Sequence, residues 1–417
     1  MLAALLFAIY FFILLFIFQR IGRRRESALG FWPLAAIFSF KTILACLYGY
    51  IFLHYYHGDD TWAFFKESID EYKNLVQHPT HFFNDFLPYS AFAPAKDFWQ
   101  GMGFYIQDLE FWIMVKLLAI FNIFSRGNYY IDALFFQFLT VWGPLYLFRL
   151  FASNFPDRRN FLLPAIFFVP TVVFWLSGIR AEGLLICFLS MILYYGNKWF
   201  KEKKISYMIW VMIGIFGMLI FRMQFLLVFL PALVAWTLSL RSAKRAIYYF
   251  FLIYIISIFI FFGSAWISPS KNLPAAVATS QKKFLGLHGN TRLRLDSLDP
   301  TFRSYLKVLP QALSNTMIRP LITDARGALQ IATSFDLMGV WILIALALFF
   351  HRKDWRKILS NPLILFCLAY GISQILLVGY VVPFPGAIVR YKAIPEMLLI
   401  ISLVMLIDWG RIHIKFH

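Results

Sequence analysis

The sequence predicts an all-α integral membrane protein, a polytopic helical bundle of about eleven transmembrane helices with two extracytoplasmic segments. Its 417 residues are 61% hydrophobic and only 14% charged, whereas about 25% of the residues in a soluble domain are charged. Apolar runs long enough to cross roughly 30 Å of hydrocarbon recur from the first residue onward. Short basic clusters separate these runs. A nucleic-acid interface needs one continuous basic stripe, so the net charge of +18 indicates membrane topology, and we predict no nucleic-acid partner.

The first apolar run, residues 1–18, is predicted to remain in the protein as a membrane anchor. A cleavable signal peptide carries its basic residues before the apolar run. Here four arginines follow it: Arg20, Arg23, Arg24 and Arg25. Arginine prefers the cytoplasmic side, which places the N-terminus outside. We therefore interpret residues 1–31 as a signal-anchor helix and a basic cytoplasmic turn.

The same charge rule gives the topology of the remaining apolar runs. In order, the predicted spans are residues 1–18, 32–55, 131–148, 162–176, 183–196, 205–221, 225–240, 247–267, 337–350, 362–382 and 394–406. The basic connections all lie in the cytoplasm if residues 111–124, a short apolar run with a central lysine, form a helix on the membrane surface. The alternative is a true span there, which inverts the topology after it.

This topology divides the chain into segments on either side of a plasma membrane. The transmembrane module, residues 32–267, contains a first extracytoplasmic segment at residues 57–130. A basic extracytoplasmic segment follows at residues 268–336, where helical periods over residues 300–318 indicate a small folded cap. We interpret residues 337–417 as C-terminal transmembrane helices and a cytoplasmic tail.

Two adjacent carboxylates, Asp59 and Asp60, follow the second span at its outer end. Neighbouring carboxylates repel each other, which raises the pKa of one and lets the pair act as a general base or bind a cation. We therefore predict Asp59 and Asp60 as catalytic residues, with a divalent metal ion as an open alternative. The simpler interpretation is a polar helix end, and at such an end we expect both side chains to face water.

Polar residues also interrupt the apolar sequence at two later points. Arg180 and Glu182 lie in the short turn between two spans, where they either hold the turn together or bind a phosphate. Arg390, Tyr391 and Lys392 precede the last span, where they either anchor the helix in the headgroup zone or contact a ligand. We include all five in the predicted substrate-binding set.

The predicted outer segment, residues 268–336, is basic, against the usual bias of outer loops. Its basic residues are Lys271, Lys282, Lys283, Arg292, Arg294, Arg303, Lys307, Arg319 and Arg326. Anionic lipid headgroups would account for such a surface. The sharper hypothesis is a phosphate or pyrophosphate site, since arginine forks match phosphate geometry. We select Arg292, Arg294 and Arg319 as its ligands.

Taken together, an acidic pair after an early span, a long outer segment that ends in a surface helix, and a proline-bearing span that ends in a polar turn resemble the GT-C superfamily. The matching stretches are HGDDTWAFF, FRLFASNFPDRRNFLLPAIFFVPTVVFWLSGIRAEGLL and GAIVRYKAIP. GT-C enzymes are polytopic glycosyltransferases that use polyprenyl-phosphate sugars, among them the protein mannosyltransferases and the aminoarabinose transferase of lipid A. The likeness covers most of residues 32–410 and extends to uncharacterised bacterial membrane proteins.

This resemblance implies a GT-C-like fold in a bacterial inner membrane, with an active site that faces the periplasm. Its implied partners are a polyprenyl-phosphate-linked sugar donor, a glycan, lipid or protein acceptor, and membrane lipids. The family's catalytic aspartate, a base or metal-linked acceptor ligand, maps onto Asp59, with Asp60 beside it. The family's usual Asp-Glu or Asp-X-Asp is Asp-Asp here, and its often acidic polar turn carries Arg180 and Glu182.

Two other functions stay open on the sequence alone. A polymerase or ligase of undecaprenyl-linked glycans would also need a basic outer site, but no aspartate base. A transporter of lipid or polysaccharide predicts charged or broken helices near the bilayer midplane. Only Lys41 lies clearly within a predicted span, near enough to its cytoplasmic end for the ammonium to snorkel.

Overall fold

A computed structural model describes residues 1–25, 29–84, 97–267, 272–287, 291–325 and 327–415 of the chain. Within these ranges the protein is helical and contains no β-strand beyond one isolated bridge between His351 and Ile407. The predicted all-α class is therefore confirmed. In chain order the described α-helices are α1 (Leu2–Arg25), α2 (Phe31–His54), α3 (Asp60–Gln77), α4 (Pro79–Asn84), α5 (Phe98–Ser125), α6 (Tyr129–Thr140), α7 (Trp142–Asn154), α8 (Arg159–Phe167), α9 (Pro170–Trp175), α10 (Ala181–Glu202), α11 (Ile205–Arg241), α12 (Ala246–Ile267), α13 (Leu273–Leu285), α14 (Phe302–Leu313), α15 (Ala328–Phe349), α16 (Trp355–Leu359), α17 (Pro362–Val381), α18 (Pro385–Leu406) and α19 (Trp409–Lys415).

Eight helical segments in the described ranges have the length and apolar composition needed to cross a membrane. They are Leu2–Arg23, Phe31–His54, Tyr129–Asn154, Ala181–Glu202, Ile205–Arg241, Ala243–Ile267, Ala328–Phe349 and Pro362–Val381. The predicted multi-pass membrane protein is confirmed at this level. The count of eleven spans stays a prediction.

Three predicted spans account for the difference in number. Helix α11 has 37 residues and leaves the helical conformation at Arg222, between the two spans predicted at residues 205–221 and 225–240. The span predicted at residues 162–176 consists of two short helices, α8 and α9. The last predicted span, residues 394–406, is the end of α18, which begins nine residues earlier and carries three charged residues, Arg390, Lys392 and Glu396.

The chain forms two compact units. The first comprises Met1–Arg159 and Phe167–Met223, and the second comprises Asn160–Ile166 and Gln224–His417. In the first unit, α2 packs against α6 at Gly49, which lies so close to the Tyr129 ring that a Cβ atom there would overlap it. This close approach brings the C-terminal end of α2 against the start of α6.

Helices α3 and α5 of the first unit form a hairpin whose facing polar groups pair with one another. Lys116 Nζ donates to Glu71 Oε2 at 3.0 Å, and Asn122 Nδ2 donates to Ser68 Oγ at 2.9 Å. All four side chains are buried. Lys116 is the central lysine of the predicted surface helix at residues 111–124, and its charge is satisfied by a neighbouring helix. Helix α5 is not among the eight apolar segments.

The second unit contains a folded cap formed by α13, α14 and the extended residues before α14. Its core is made of buried side chains from all three parts, Ala278, Leu295, Leu298, Tyr305 and Val308. Helix α14 and the π-turn Ser314–Ile318 cover the helical period predicted at residues 300–318.

Candidate functional site

The two predicted aspartates lie in the tight turn that joins α2 to α3. His57 and Gly58 have positive φ angles of 57° and 109°, and the second value suits glycine because it has no Cβ. Asp59 then caps α3, since its Oδ1 accepts a hydrogen bond from the Thr61 backbone N–H at 3.1 Å. Asp60 is the first residue of α3. Turn and cap together fix the backbone of both aspartates.

Arg180 reaches both aspartates from the turn that precedes α10. Its Nη1 donates to Asp59 Oδ2 at 2.7 Å and to the Tyr48 hydroxyl at 3.1 Å, and its Nη2 donates to Asp60 Oδ2. Its Nε lies 3.7 Å from Glu182 Oε2. Four predicted site residues thus form one cluster, although 120 positions separate Asp60 from Arg180.

Tyr48 is a member of this cluster that sequence reasoning missed. Its hydroxyl donates to Asp59 Oδ2 at 3.0 Å, and the whole side chain is buried. Gly178 lies directly against the ring, because a Cβ atom there would be 3.0 Å from two ring carbons. The sequence offers little signal for this role, since a tyrosine in an apolar span usually packs in the core or at the interface.

The two aspartates differ sharply in their exposure. The side chain of Asp59 is 12% exposed and that of Asp60 is 63% exposed. Burial raises the pKa of Asp59 above its usual value, although Arg180 and Tyr48 lower it in part. The expectation that both carboxylates face water is therefore wrong for Asp59. The physical reason is that two buried side chains, Tyr48 and Arg180, contact its Oδ2.

A second ion pair, between Glu110 of α5 and Arg222 of α11, belongs to the same electrostatic neighbourhood. Arg222 Nη1 lies 2.6 Å from Glu110 Oε1 and donates to Oε2 at 2.7 Å. Burial raises the pKa of Glu110, Arg222 lowers it, and the charges of Glu182 and Asp60 raise it further. Sequence reasoning named neither partner. The sequence feature that could have indicated this ion pair is Arg222 itself, a lone arginine between two predicted spans.

Lys41 and Gln137 hold the backbone of the Arg180 turn from behind. Lys41 Nζ donates to Gln137 Oε1 at 2.7 Å and to the Leu176 carbonyl at 3.0 Å, and Gln137 Nε2 donates to the Ser177 carbonyl at 2.6 Å. Both side chains are buried. The expectation that Lys41 snorkels to the cytoplasmic end is wrong, because these acceptors hold the ammonium inside the protein.

The aspartate pair does not present the ligand set of a divalent metal ion. Among the residues that the structure describes, no group of three or more His, Cys, Asp or Glu side chains could hold one. Asp59 and Asp60 instead share the guanidinium of Arg180, which stands where a bridging cation would bind. The divalent-metal alternative gains no support from this geometry.

In the second unit, the predicted residues of α18 have different surroundings. The Arg390 guanidinium lies over the Tyr391 ring at 4.5 Å and donates to its hydroxyl at 2.6 Å. Lys392 is buried and pairs with Glu396 at 3.3 Å. The run Arg390 to Lys392 therefore does not form one ligand surface, because Lys392 is engaged inside the unit.

The three arginines selected from the basic segment are all exposed in the second unit. Arg292 and Arg294 alternate with the buried Leu293 and Leu295, the period of two expected of an extended chain. Both side chains therefore point away from the core of the cap, and Arg319 is exposed as well. Two other basic residues of the segment, Lys271 and Arg326, lie outside the described residues.

Comparison with known proteins gives no family assignment: no protein-family model matches the chain, and neither a curated protein nor a solved structure does. The GT-C resemblance accordingly stays a prediction.

Proposed function

We propose that this protein is a membrane glycosyltransferase that moves a sugar from a polyprenyl-phosphate donor to an acceptor at the extracytoplasmic face. The observation that supports it most is the contact of Arg180 with Asp59 and Asp60 just beyond the apolar helix α2. A transfer of this kind needs a carboxylate to take a proton and cations to stabilise the leaving phosphate. Carboxylates and one guanidinium group, that of Arg180, occur in this cluster.

In the proposed reaction Asp59 is the general base. It takes the proton from an acceptor hydroxyl or amine, whose lone pair attacks the anomeric carbon of the sugar. The bond from that carbon to the phosphate oxygen breaks, and the phosphate leaves with the bonding electrons, which inverts the configuration. A pKa raised by burial suits this role, since the best general bases have pKa values near the working pH.

The other predicted residues have supporting roles in this proposal. Arg180 orients both aspartates, and Tyr48 fixes Asp59 through the hydroxyl bond to Oδ2. Asp60, the more exposed carboxylate, is the alternative base. The donor-phosphate candidates of the second unit are Arg292, Arg294, Arg319, Arg390, Tyr391 and Lys392.

The test is release of polyprenyl phosphate by purified protein in lipid nanodiscs, with a panel of polyprenyl-phosphate sugars as donors. We expect Asp59→Asn to lose about 100-fold to 10,000-fold in rate, the range that loss of a general base usually gives. Asparagine keeps the cap of α3, so the variant should fold. Asp70→Asn, in an exposed ion pair with Lys73 on the same helix, is the matched control. If Asp59→Asn keeps full turnover and Asp60→Asn loses it, the general base is Asp60.

A lipid or polysaccharide transporter is the second candidate, and two observations favour it. Helix α11 is broken at Arg222, and Lys41 is buried within α2. Both are features expected of transport pathways. A transporter would carry a lipid-linked glycan across a sealed vesicle membrane without release of polyprenyl phosphate, so the same donor panel in proteoliposomes separates the two functions.

A further inference from the structure

Helix α11 is interrupted at a charged residue that apolar residues flank on both sides. Arg222 has φ −156° and ψ 80°, outside the helical region. A continuous helix of 37 residues would be about 55 Å long, well beyond the roughly 30 Å of hydrocarbon. The break divides it into pieces of about 26 Å (residues 205–221) and about 28 Å (residues 223–241), each close to the length of one crossing. An arginine at such a junction needs an anionic partner or water.

The partner of Arg222 is Glu110, and this pair is more open than a structural ion pair in the same unit. The side chains of Arg222 and Glu110 are 21% and 19% exposed. Those of Lys116 and Glu71, which join α5 to α3, are only 4% and 6% exposed. Hydrogen bonds of Arg222 to described residues involve Nη1 alone. Within the part of the chain that the structure describes, its Nη2 and Nε, which form one edge of the guanidinium fork, donate no hydrogen bond.

Arg180 has far less capacity for an additional anion. Its side chain is 4% exposed, and its guanidinium already contacts Tyr48, Asp59 and Asp60. A phosphate that binds Arg180 would have to displace two carboxylates at once. A phosphate that binds Arg222 would have to displace only the Glu110 carboxylate, and the Arg222 side chain is already partly exposed.

We propose that Arg222 binds the phosphate of the lipid-linked donor, and that Glu110 holds this arginine in place while the donor is absent. The inference rests on the proposed function and adds a donor-binding residue to it. The ligand is a phosphate ester, whose oxygens match the guanidinium fork better than a single carboxylate oxygen does. Glu110 lies within electrostatic reach of Asp60 and Glu182. A phosphate on Arg222 would therefore share the electrostatic neighbourhood of Asp60 and Glu182, two members of the cluster that contains the proposed base.

The experiment measures binding of dodecyl phosphate to the full-length protein in nanodiscs. Inorganic phosphate and dodecanol are parallel probes that separate a lipid phosphate from a free phosphate and from a simple alkyl chain. We expect Arg222→Gln to weaken binding of dodecyl phosphate about tenfold to 100-fold, the worth of charge-assisted hydrogen bonds. Glu110→Gln should strengthen binding severalfold, because the competing carboxylate is gone. Arg222→Lys, which keeps the charge but lacks the fork, should bind severalfold more weakly.

The control variant is Glu71→Gln, which breaks the enclosed pair with Lys116 and should lower thermal stability without a change in binding. Equal weakening by Arg222→Gln and Glu110→Gln, or no change in either, would show a purely structural pair and overturn this inference. If inorganic phosphate binds as tightly as dodecyl phosphate, Arg222 belongs to a site for free phosphate, and the assignment of a lipid-linked donor is overturned. If the wild-type protein shows turnover but neither Arg222→Gln nor Glu110→Gln changes binding, only the role of Arg222 is overturned. If the wild-type protein shows no turnover with any donor, the proposed function is overturned.

Discussion

Replacing Gly178 with alanine should move the Tyr48 ring and disturb the two hydrogen bonds that its hydroxyl makes in the site. The added Cβ would lie 3.0–3.1 Å from three ring carbons, whereas carbon atoms pack best at about 3.5–4.0 Å. The ring must therefore shift by about 0.5–1 Å. It cannot move freely, because it is buried and stacks on Phe52 with a centroid distance of 4.4 Å.

This overpacking should cost about 1–3 kcal/mol in the free energy of unfolding. Turnover should fall roughly tenfold or more, because a misplacement of about 1 Å near the reacting centre can cost about 100-fold. Unfolding followed by tryptophan fluorescence and polyprenyl-phosphate release measure the two effects separately. Gly103→Ala is the control, since a Cβ there meets nothing within 4 Å. In a Tyr48→Leu background, Gly178→Ala should lower the free energy of unfolding much less, because the ring that the Cβ meets is gone. An unchanged turnover and stability in Gly178→Ala alone would refute the packing argument.

Four further predictions follow from the same unit. Tyr48→Phe removes the hydroxyl that contacts Asp59 and should lower stability by about 1–2 kcal/mol, measured by chemical denaturation in detergent. Lys41→Met leaves the Leu176 carbonyl without its donor and should cost about 1–3 kcal/mol in the same assay. Gly49→Ala forces a Cβ into the Tyr129 ring, and we expect a loss of about 3 kcal/mol; wild-type stability would contradict the close approach. Because burial raises the folded-state pKa of Asp59, its protonation stabilises the fold most at low pH, and this contribution is lost as the pH rises through the raised pKa. The acid limb of the kcat/KM profile should accordingly lie above the ordinary aspartate pKa of about 3.9, and Asp59→Asn should abolish the pH dependence of stability that this group causes.

The membrane helices could be predicted because length and hydropathy are local properties of the chain. The interruption of α11 at Arg222 was visible as a gap between two apolar runs, but its ion pair with Glu110 was not. That contact joins residues 112 positions apart, and no local pattern encodes it. Lys41 illustrates the same limit: its apolar surroundings suggested snorkelling, whereas the acceptors that hold it come from α6 and from the turn after α9.

The candidate site could be predicted as a set of residues but not as an arrangement. Asp59 and Asp60 were predicted from two adjacent carboxylates after a span, and Arg180 and Glu182 from polar residues in a short turn between spans. All four lie in one cluster. Their exposure could not be predicted. The side chain of Asp59 is enclosed by Tyr48 and Arg180, which lie 11 and 121 positions away, and its backbone follows a left-handed turn at residues 57 and 58.

The separation of 120 positions between Asp60 and Arg180 also determines when the site can form during biosynthesis. At about 5–20 residues per second, the aspartates leave the ribosome about 6–24 s before the arginine does. During that interval two neighbouring carboxylates lack the guanidinium that later joins them. Nascent chains arrested before residue 180 should therefore keep this loop accessible to protease and chaperone, and protection should begin only once the Arg180 turn has been made.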